Sequence, residues 1–253
     1  IFDLHEVGPL YGGTLSFPFD AGARALLKSY ADYTAGAPDE FYTGLDIDTD
    51  EHGQRLIELD VTYYGPVKDA ERVIAPLRKL GKAHEDSLAA TSYLKLQGSD
   101  DAPGFAHRGL YLKGGLVQVM TPEFIDTVAG CIEGARLDTI GLGFQPIGGA
   151  IGRVKPRDTA FWNRAARYSM HVYGSWKADA DHDTIEHNKE WVRSSWVKLE
   201  PLTHGRYVNI ATSDDHDSHL SAAYGDNYPR LVALKKRYDP TNLFRLNANI
   251  KPA

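Results

Sequence analysis

Apolar residues along this chain switch repeatedly from a two-residue to a three-to-four-residue period, so strands and helices alternate. Leu15, Phe17 and Phe19 alternate with other neighbours and predict a strand. Asp20 follows as a candidate cap for a helix that buries Leu26, Leu27, Tyr30 and Tyr33. Two strands come next, joined by the polar turn Asp48–Gly53. In the second, Ile57, Leu59, Val61 and Tyr63 face one way while Glu58, Asp60 and Thr62 face the other, the pattern of a half-buried antiparallel hairpin. A helix near 67–81 puts Val73, Leu77 and Leu80 on one face, with Pro76 bending it.

After an irregular stretch the order restarts. A strand is predicted around 108–117, a helix at 121–135, and a strand in which Ile140, Leu142 and Phe144 alternate. A strand at 165–176 precedes a long helix burying Ile185, Val192, Trp196 and Leu199. A strand at 206–212 and a helix ending near Tyr238 complete the pattern. Both halves run strand, helix, strand, strand, helix, without sequence repetition. The expected fold class is α+β, a largely antiparallel sheet with helices packed on one face.

Composition narrows the function classes. The 253 residues carry 28 Lys+Arg against 34 Asp+Glu, a net charge of -6, which argues against a general nucleic-acid or anionic-membrane surface. No segment has the ~20 apolar residues of a membrane span. The single Cys131 excludes an intrachain disulfide and a thiolate zinc cluster, and its apolar neighbours at helical spacing make it a buried hydrophobe. Mild charge and one cysteine fit a reducing cytoplasm. The opening Ile1-Phe2-Asp3-Leu4-His5 reads like the middle of a strand, so the chain is expected to be a fragment.

Few motifs carry chemistry unaided. Asp46-x-Asp48-x-Asp50 lacks the later glycine and carboxylate of a calcium loop and reads as a solvated hairpin turn. Asp214-Asp215-His216-Asp217-Ser218-His219 has a metal-site composition, but Asp217 or Ser218 suits a helix cap better. His182 and His187 lie on different helix faces, so no metal site is expected. Gly12-Gly13 reads as a point where backbone passes close to backbone. No nucleophile elbow, phosphate loop or dinucleotide fingerprint is present.

The C-terminal stretch Ala223-Tyr224-Gly225-Asp226-Asn227-Tyr228-Pro229-Arg230-Leu231 runs into Lys235-Lys236-Arg237-Tyr238-Asp239-Pro240-Thr241-Asn242-Leu243-Phe244 and ends Arg245-Leu246-Asn247-Ala248-Asn249-Ile250. Gly225 suits a helix end, Pro229 a helix start and Pro240 a stop, after which an Asn-rich strand is expected. This stretch resembles the closing signature of berberine bridge enzyme-like flavoproteins, a branch of the vanillyl-alcohol-oxidase-type FAD enzymes. Weaker similarities are Val7-Gly8-Pro9 with Tyr11-Gly12-Gly13, Ala75-Pro76-Leu77-Arg78 with Gly81, Asp86, Tyr93 and Gln97, and Gln145-Pro146-Ile147-Gly148-Gly149 with Phe161, Arg164 and Tyr168.

The resemblance implies the substrate-binding portion of an FAD-dependent oxidoreductase that oxidises a C–OH or C–NH centre of a sugar, alcohol or secondary metabolite. Residues 1–10 would end an FAD-binding domain, 11–212 would form the substrate domain, and 213–253 a helix and strand returning toward the FAD domain. By position, Tyr207 matches the family's catalytic base, Gln145 and Asn209 match substrate-facing residues, and Asn247 and Asn249 lie where the cofactor is approached. Ala248 stands where the family usually has Gln. FAD would come from an N-terminal domain absent from this chain, or from a separate chain. A stand-alone, catalytically inactive binding domain is the alternative.

Overall fold

The computed structural model describes residues 7–50, 52–98, 108–135, 140–210, 217–246 and 248–252. The hairpin predicted from alternation is present as β2 (Phe41–Thr49) and β3 (Arg55–Tyr63), and β1 (Leu10–Pro18) lies along the outer side of β3. Helix α1 (Ala23–Thr34) links β1 to β2, and the short helices α3 (Tyr93–Gln97), α5 (Ala150–Arg153) and α7 (Asp217–Tyr224) lie in later connections. The second half repeats the plan with β6 (Arg108–Val117), α4 (Pro122–Glu133), β7 (Ile140–Pro146), β8 (Tyr168–Lys177) and α6 (His182–Leu199). Short β4 (Glu85–Asp86) and β5 (Ala89–Thr91) both pair with β1. The eight-stranded antiparallel sheet has the order β4-β1-β3-β2-β7-β8-β6, with β5 also on β1.

The halves are arranged alike. Leaving aside the short β4 and β5 beyond β1, each places its first strand outermost, its third strand next and its second strand at the centre, so β2 and β7 meet in the middle of the sheet. Three register pairs join them: Leu45↔Phe144, Asp46↔Gly143 and Ile47↔Leu142.

Strand alternation sorts the side chains. Leu15, Phe17, Leu45, Ile47, Ile57, Leu59, Leu142, Phe144, Met170 and Val172 point into one core, together with Leu26, Leu27 and Tyr30 of α1, Phe124 and Val128 of α4, and Val192 and Trp196 of α6. Helices α1, α4 and α6 pack in a row over that face. Thr121 caps α4 by accepting the Phe124 N–H at 3.1 Å, with Pro122 in the first turn. Arg55 of β3 reaches the other end of α4 and donates to the Ile132 and Ala135 carbonyls, a cation satisfying the last turn. Cys131 is buried on α4, and desolvation raises its thiol pKa, as expected of a packing residue.

Several local expectations need correction. Asp20 does not cap α1. The N-cap is Gly22, and the Asp20 carboxylate accepts the Gly22 N–H at 2.7 Å, tightening the turn before the helix. Pro76 ends rather than bends the predicted 67–81 helix: α2 (Val67–Ile74) is followed by a 3-10 turn at Leu77–Lys79. The expected strand at 206–212 is instead a 3-10 turn at Val208–Ile210, with 211–212 outside the described residues. Two hydrogen bonds, Leu116 N–H to the Gly205 carbonyl (2.8 Å) and His204 N–H to the Leu116 carbonyl (2.7 Å), begin a pairing with β6. Gly205 at φ +139° then turns the chain away. No strand follows α8 (Tyr228–Tyr238) among the described residues. The Asp239 carboxylate instead accepts the Leu243 and Phe244 N–H groups at 2.7 and 3.0 Å and folds the chain into a loop.

Phe144 connects the central seam to the helical layer. It is 2% exposed and meets Phe124 of α4 edge to face at 6.1 Å. Phe144→Ala is expected to lower the unfolding free energy by about 3–5 kcal/mol and Phe144→Leu by much less. Urea denaturation of the two variants beside the parent checks this, and equal losses would contradict it.

Candidate functional site

The face that α1, α4 and α6 leave open carries the chemistry. Alternation that buries Leu45 and Ile47 turns Gly44, Asp46 and Asp48 outward, and the same rule places Glu58 and Asp60 of β3, Gly141, Gly143 and Gln145 of β7, and Ser169, His171 and Tyr173 of β8 there. Glycines make the floor. A methyl group at Gly143 would collide with both His171 Nε2 and Asp46 Oδ1, and one at Gly141 would lie 2.5 Å from the Tyr173 hydroxyl. Side chains from neighbouring strands therefore lie across these glycines instead of standing clear of the sheet. The His171 and Tyr173 rings are 5.7 Å apart, and the Tyr173 hydroxyl is 3.5 Å from Asp48 Oδ2.

Burial and like charge shape the titration of this face. Desolvation, then the carboxylates of Asp60, Asp48 and Glu58, push the Asp46 pKa up to about 7. Glu58 is also pushed up to about 7, by burial first and then by Asp48, Asp60, Glu85 and Asp50. Burial raises Asp48 and Tyr173 and lowers His171. Although Asp46 Oδ1 stands 4.0 Å from His171 Nε2, desolvation dominates both groups, and the uncharged form of each is favoured. Among the described residues no group of His, Cys, Asp and Glu has metal-holding geometry.

The solvated-turn reading of Asp46-x-Asp48-x-Asp50 holds only for its last member. Asp50 accepts the His52 and Gln54 N–H groups, both at 2.8 Å, and forms the turn. Asp46 and Asp48 belong to β2. Alternation along the hairpin was the usable signal, because it places Asp46, Asp48, Glu58 and Asp60 on one face. What it lacked was the placement of β8, beyond β7, which brings in His171.

The expected site residues divide into three groups. Gln145 is exposed and lies on the open face two positions from Gly143. Tyr207 and Asn209 approach the sheet at β6: Ile210, in the same turn, lies over Gly114, and Gly114 pairs with His171. The Asn209 Nδ2 donates to the Tyr207 hydroxyl at 2.8 Å, and Phe161 meets the Tyr207 ring edge to face at 6.3 Å. Asn249 has a buried carboxamide oxygen without a hydrogen-bond partner. Asn247 lies outside the described residues, as do residues 1–6 and 211–216.

Other family-like positions fasten the frame. Arg78 pairs with Asp86 at 2.6 Å and with Glu71, while the Tyr93 hydroxyl donates to Gln97 at 3.0 Å. Gly12 and Gly13 are close-approach points as expected, since side chains there would meet the Val61 and Ser87 carbonyls at 2.6 and 2.8 Å. A groove of about 430 Å³ runs along this edge, between Gly12, Thr14, Asp60 and Thr62 on the sheet and Ser87, Thr91, Lys95 and Leu96 opposite. His182 opens α6, and His187 Nδ1 lies 2.7 Å from the Asp183 carbonyl.

Residues 206–251 match the family model "Berberine and berberine like". Over that stretch the chain resembles berberine bridge enzyme-like proteins. An uncharacterized FAD-linked oxidoreductase of Bacillus subtilis, YgaK, is 26% identical over 192 residues, covering 75% of this chain and 42% of that protein. The chitooligosaccharide oxidase of Gibberella zeae is 34% identical over 106 residues, 41% of this chain and 22% of its own. The crystal structure of 6-hydroxy-D-nicotine oxidase from Arthrobacter nicotinovorans shares the fold at a TM-score of 0.80 and 23% identity, over 97% of this chain and 55% of that one. The chain thus spans about half the length, or less, of these relatives. No helix among its described residues is long and apolar enough to cross a membrane.

The raised carboxylates make stability depend on pH. The native values of Asp46 and Glu58 near 7 lie above the ordinary carboxylate values of about 4. Their protonated forms are favoured by folding, so their contribution is complete below about pH 4 and is lost as pH rises through about 7. Asp46→Asn is therefore expected to match the parent at about pH 4 and exceed it by about 1–2 kcal/mol at about pH 8, a figure discounted because 36% of the side chain meets water. Thermal melts at the two pH values measure the difference, and a variant less stable at the higher pH would contradict the assignment.

Proposed function

We propose that this chain is the substrate-side domain of an FAD-dependent oxidoreductase that oxidises a carbon bearing a hydroxyl or amine in a sugar, alcohol or secondary metabolite. The open sheet face carries this reading. Around β2, β7 and β8 it is polar and glycine-floored, with the short helix at Tyr93–Gln97 lying only over its β1 edge, whereas the opposite face is a closed core under the long helices. Relatives named as FAD-linked oxidoreductases support it, as does a relative named for a chitooligosaccharide.

The described residues contain no phosphate cradle, so FAD is expected to be held mainly by an N-terminal domain or a separate chain. The orphaned oxygen of Asn249 suits a flavin ring N–H, and Asn247 is proposed as a second cofactor-binding residue. When bound, the flavin supplies the acceptor for the hydride leaving the substrate carbon. Tyr207 is proposed to take the proton from the substrate's hydroxyl or amine. Its oxygen already accepts a hydrogen bond from Asn209, an interaction it retains after losing its own proton. Gln145 and Asn209 are proposed to orient the substrate by hydrogen bonds.

An intact mass and a visible spectrum of the protein purified from the cells that make it are the first test. Flavin bands support the reading, and their absence favours a flavin-free binding domain. In a flavin-loaded protein, Tyr207→Phe is expected to lower kcat by about 100-fold with little change in KM. A parental kcat in that variant would remove Tyr207 from the reaction.

A further inference from the structure

Asp46 comes from β2 and His171 from β8, with β7 between them. The two side chains reach across that strand and meet over Gly143, where any side chain would collide with both. Their facing atoms are 4.0 Å apart, too far for a hydrogen bond, so neither uses the other's hydrogen-bonding capacity. Aromatic and acidic groups surround the spot. Tyr173 of β8 tilts against His171, and the Tyr42 hydroxyl of β2 sits beside Gly44, 3.3 Å from where a methyl group there would stand. Asp48 of β2 and Glu58 and Asp60 of β3 add their field to that of Asp46, while β7 contributes glycines and Gln145.

We propose that Asp46 and His171, converging over the Gly143 floor, form a specificity-determining subsite for a hydrogen-donating group of the substrate, a hydroxyl or a protonated amine, and reject a carboxylate. The inference rests on the reading that the open sheet face receives the substrate. Above about pH 7, where Asp46 ionises, its carboxylate only accepts hydrogen bonds, and a neutral imidazole has one accepting nitrogen, so a group rich in polar hydrogens complements the pair. An amine also brings a positive charge among these carboxylates and holds Asp46 ionised. Above about pH 7, where Asp46 and Glu58 are ionised, a carboxylate would face four negative groups across a partly desolvated floor. The subsite is separate from Tyr207, which approaches over β6, so it governs which substrate binds and not the proton transfer itself.

The test needs no flavin. The chain is prepared with isotope-labelled histidine, the His171 ring resonance is assigned by its loss in His171→Gln, and three probes are titrated: cellobiose, benzylamine and benzoate. Cellobiose or benzylamine is expected to shift that resonance at millimolar concentration, and benzoate is not. Asp46→Asn and His171→Gln are each expected to weaken the effective probe about tenfold by calorimetry, with melting curves confirming that both variants fold. Benzylamine binding that tightens from about pH 6 to about pH 8 identifies an amine subsite, and cellobiose binding at both identifies a hydroxyl subsite. The proposal is overturned if neither donor probe moves His171, if benzoate binds as tightly as the donors, or if both variants keep the parental affinity. A flavin-free native protein would remove the oxidoreductase reading and leave this titration interpretable. A failed titration would remove the subsite and leave the flavin spectrum unaffected.

Discussion

The junction of β2 with β7 is the constraint on which the rest of the molecule depends. Only three register pairs join the two half-sheets, yet they set both faces at once. On one side Leu45, Ile47, Leu142 and Phe144 meet under α1 and α4 and unite the two apolar layers. On the other, the same register places Asp46 opposite Gly143, within reach of His171. Because side chains alternate with period two, a slip of one residue would bury Asp46 and expose Leu45. The apolar layer therefore enforces the polar one.

Much of this plan was legible in the sequence. The limits of β6, the alternation in β3 and β7, and the apolar face of α6 follow from periodicity, because burial on one side of a regular element imposes its period on the sequence. Gly225 at φ +49° and Pro229 at the start of α8 show that local chemistry was equally readable there. The errors fell where tertiary contacts override a local pattern. Residues 206–210 alternate like a strand, but Gly205 turns the chain and Ile210 settles over Gly114. The candidate site was less legible. Gln145, Tyr207 and Asn209 came from resemblance, whereas the Asp46–His171 approach depends on the placement of β8, which no spacing within either segment encodes.

Electrostatics and packing oppose one another on the open face. Glycine at 141 and 143 gives up side-chain contacts and conformational restriction that a β-branched residue would supply. Placing Asp46, Asp48, Glu58 and Asp60 on adjacent strands adds repulsion. These departures from a stable sheet occur together and on one face, whereas the helix-covered face follows the ordinary rules of core packing. Such a concentration of locally unfavourable choices is the expected mark of a surface shaped for something other than stability.

The duplicated arrangement also governs the order in which the chain can assemble. Hairpin β2–β3 closes over a five-residue connection, whereas the seam pairs residues about a hundred positions apart, which makes it among the contacts with the largest loop-closure entropy. Local structure in each half can form before the seam does. The Asp46–His171 approach exists in neither half alone, since Asp46 belongs to the first and Gly143 and His171 to the second. Any ligand that requires all three therefore recognises only the completed sheet, and its binding would report on the last step of folding as well as on the site.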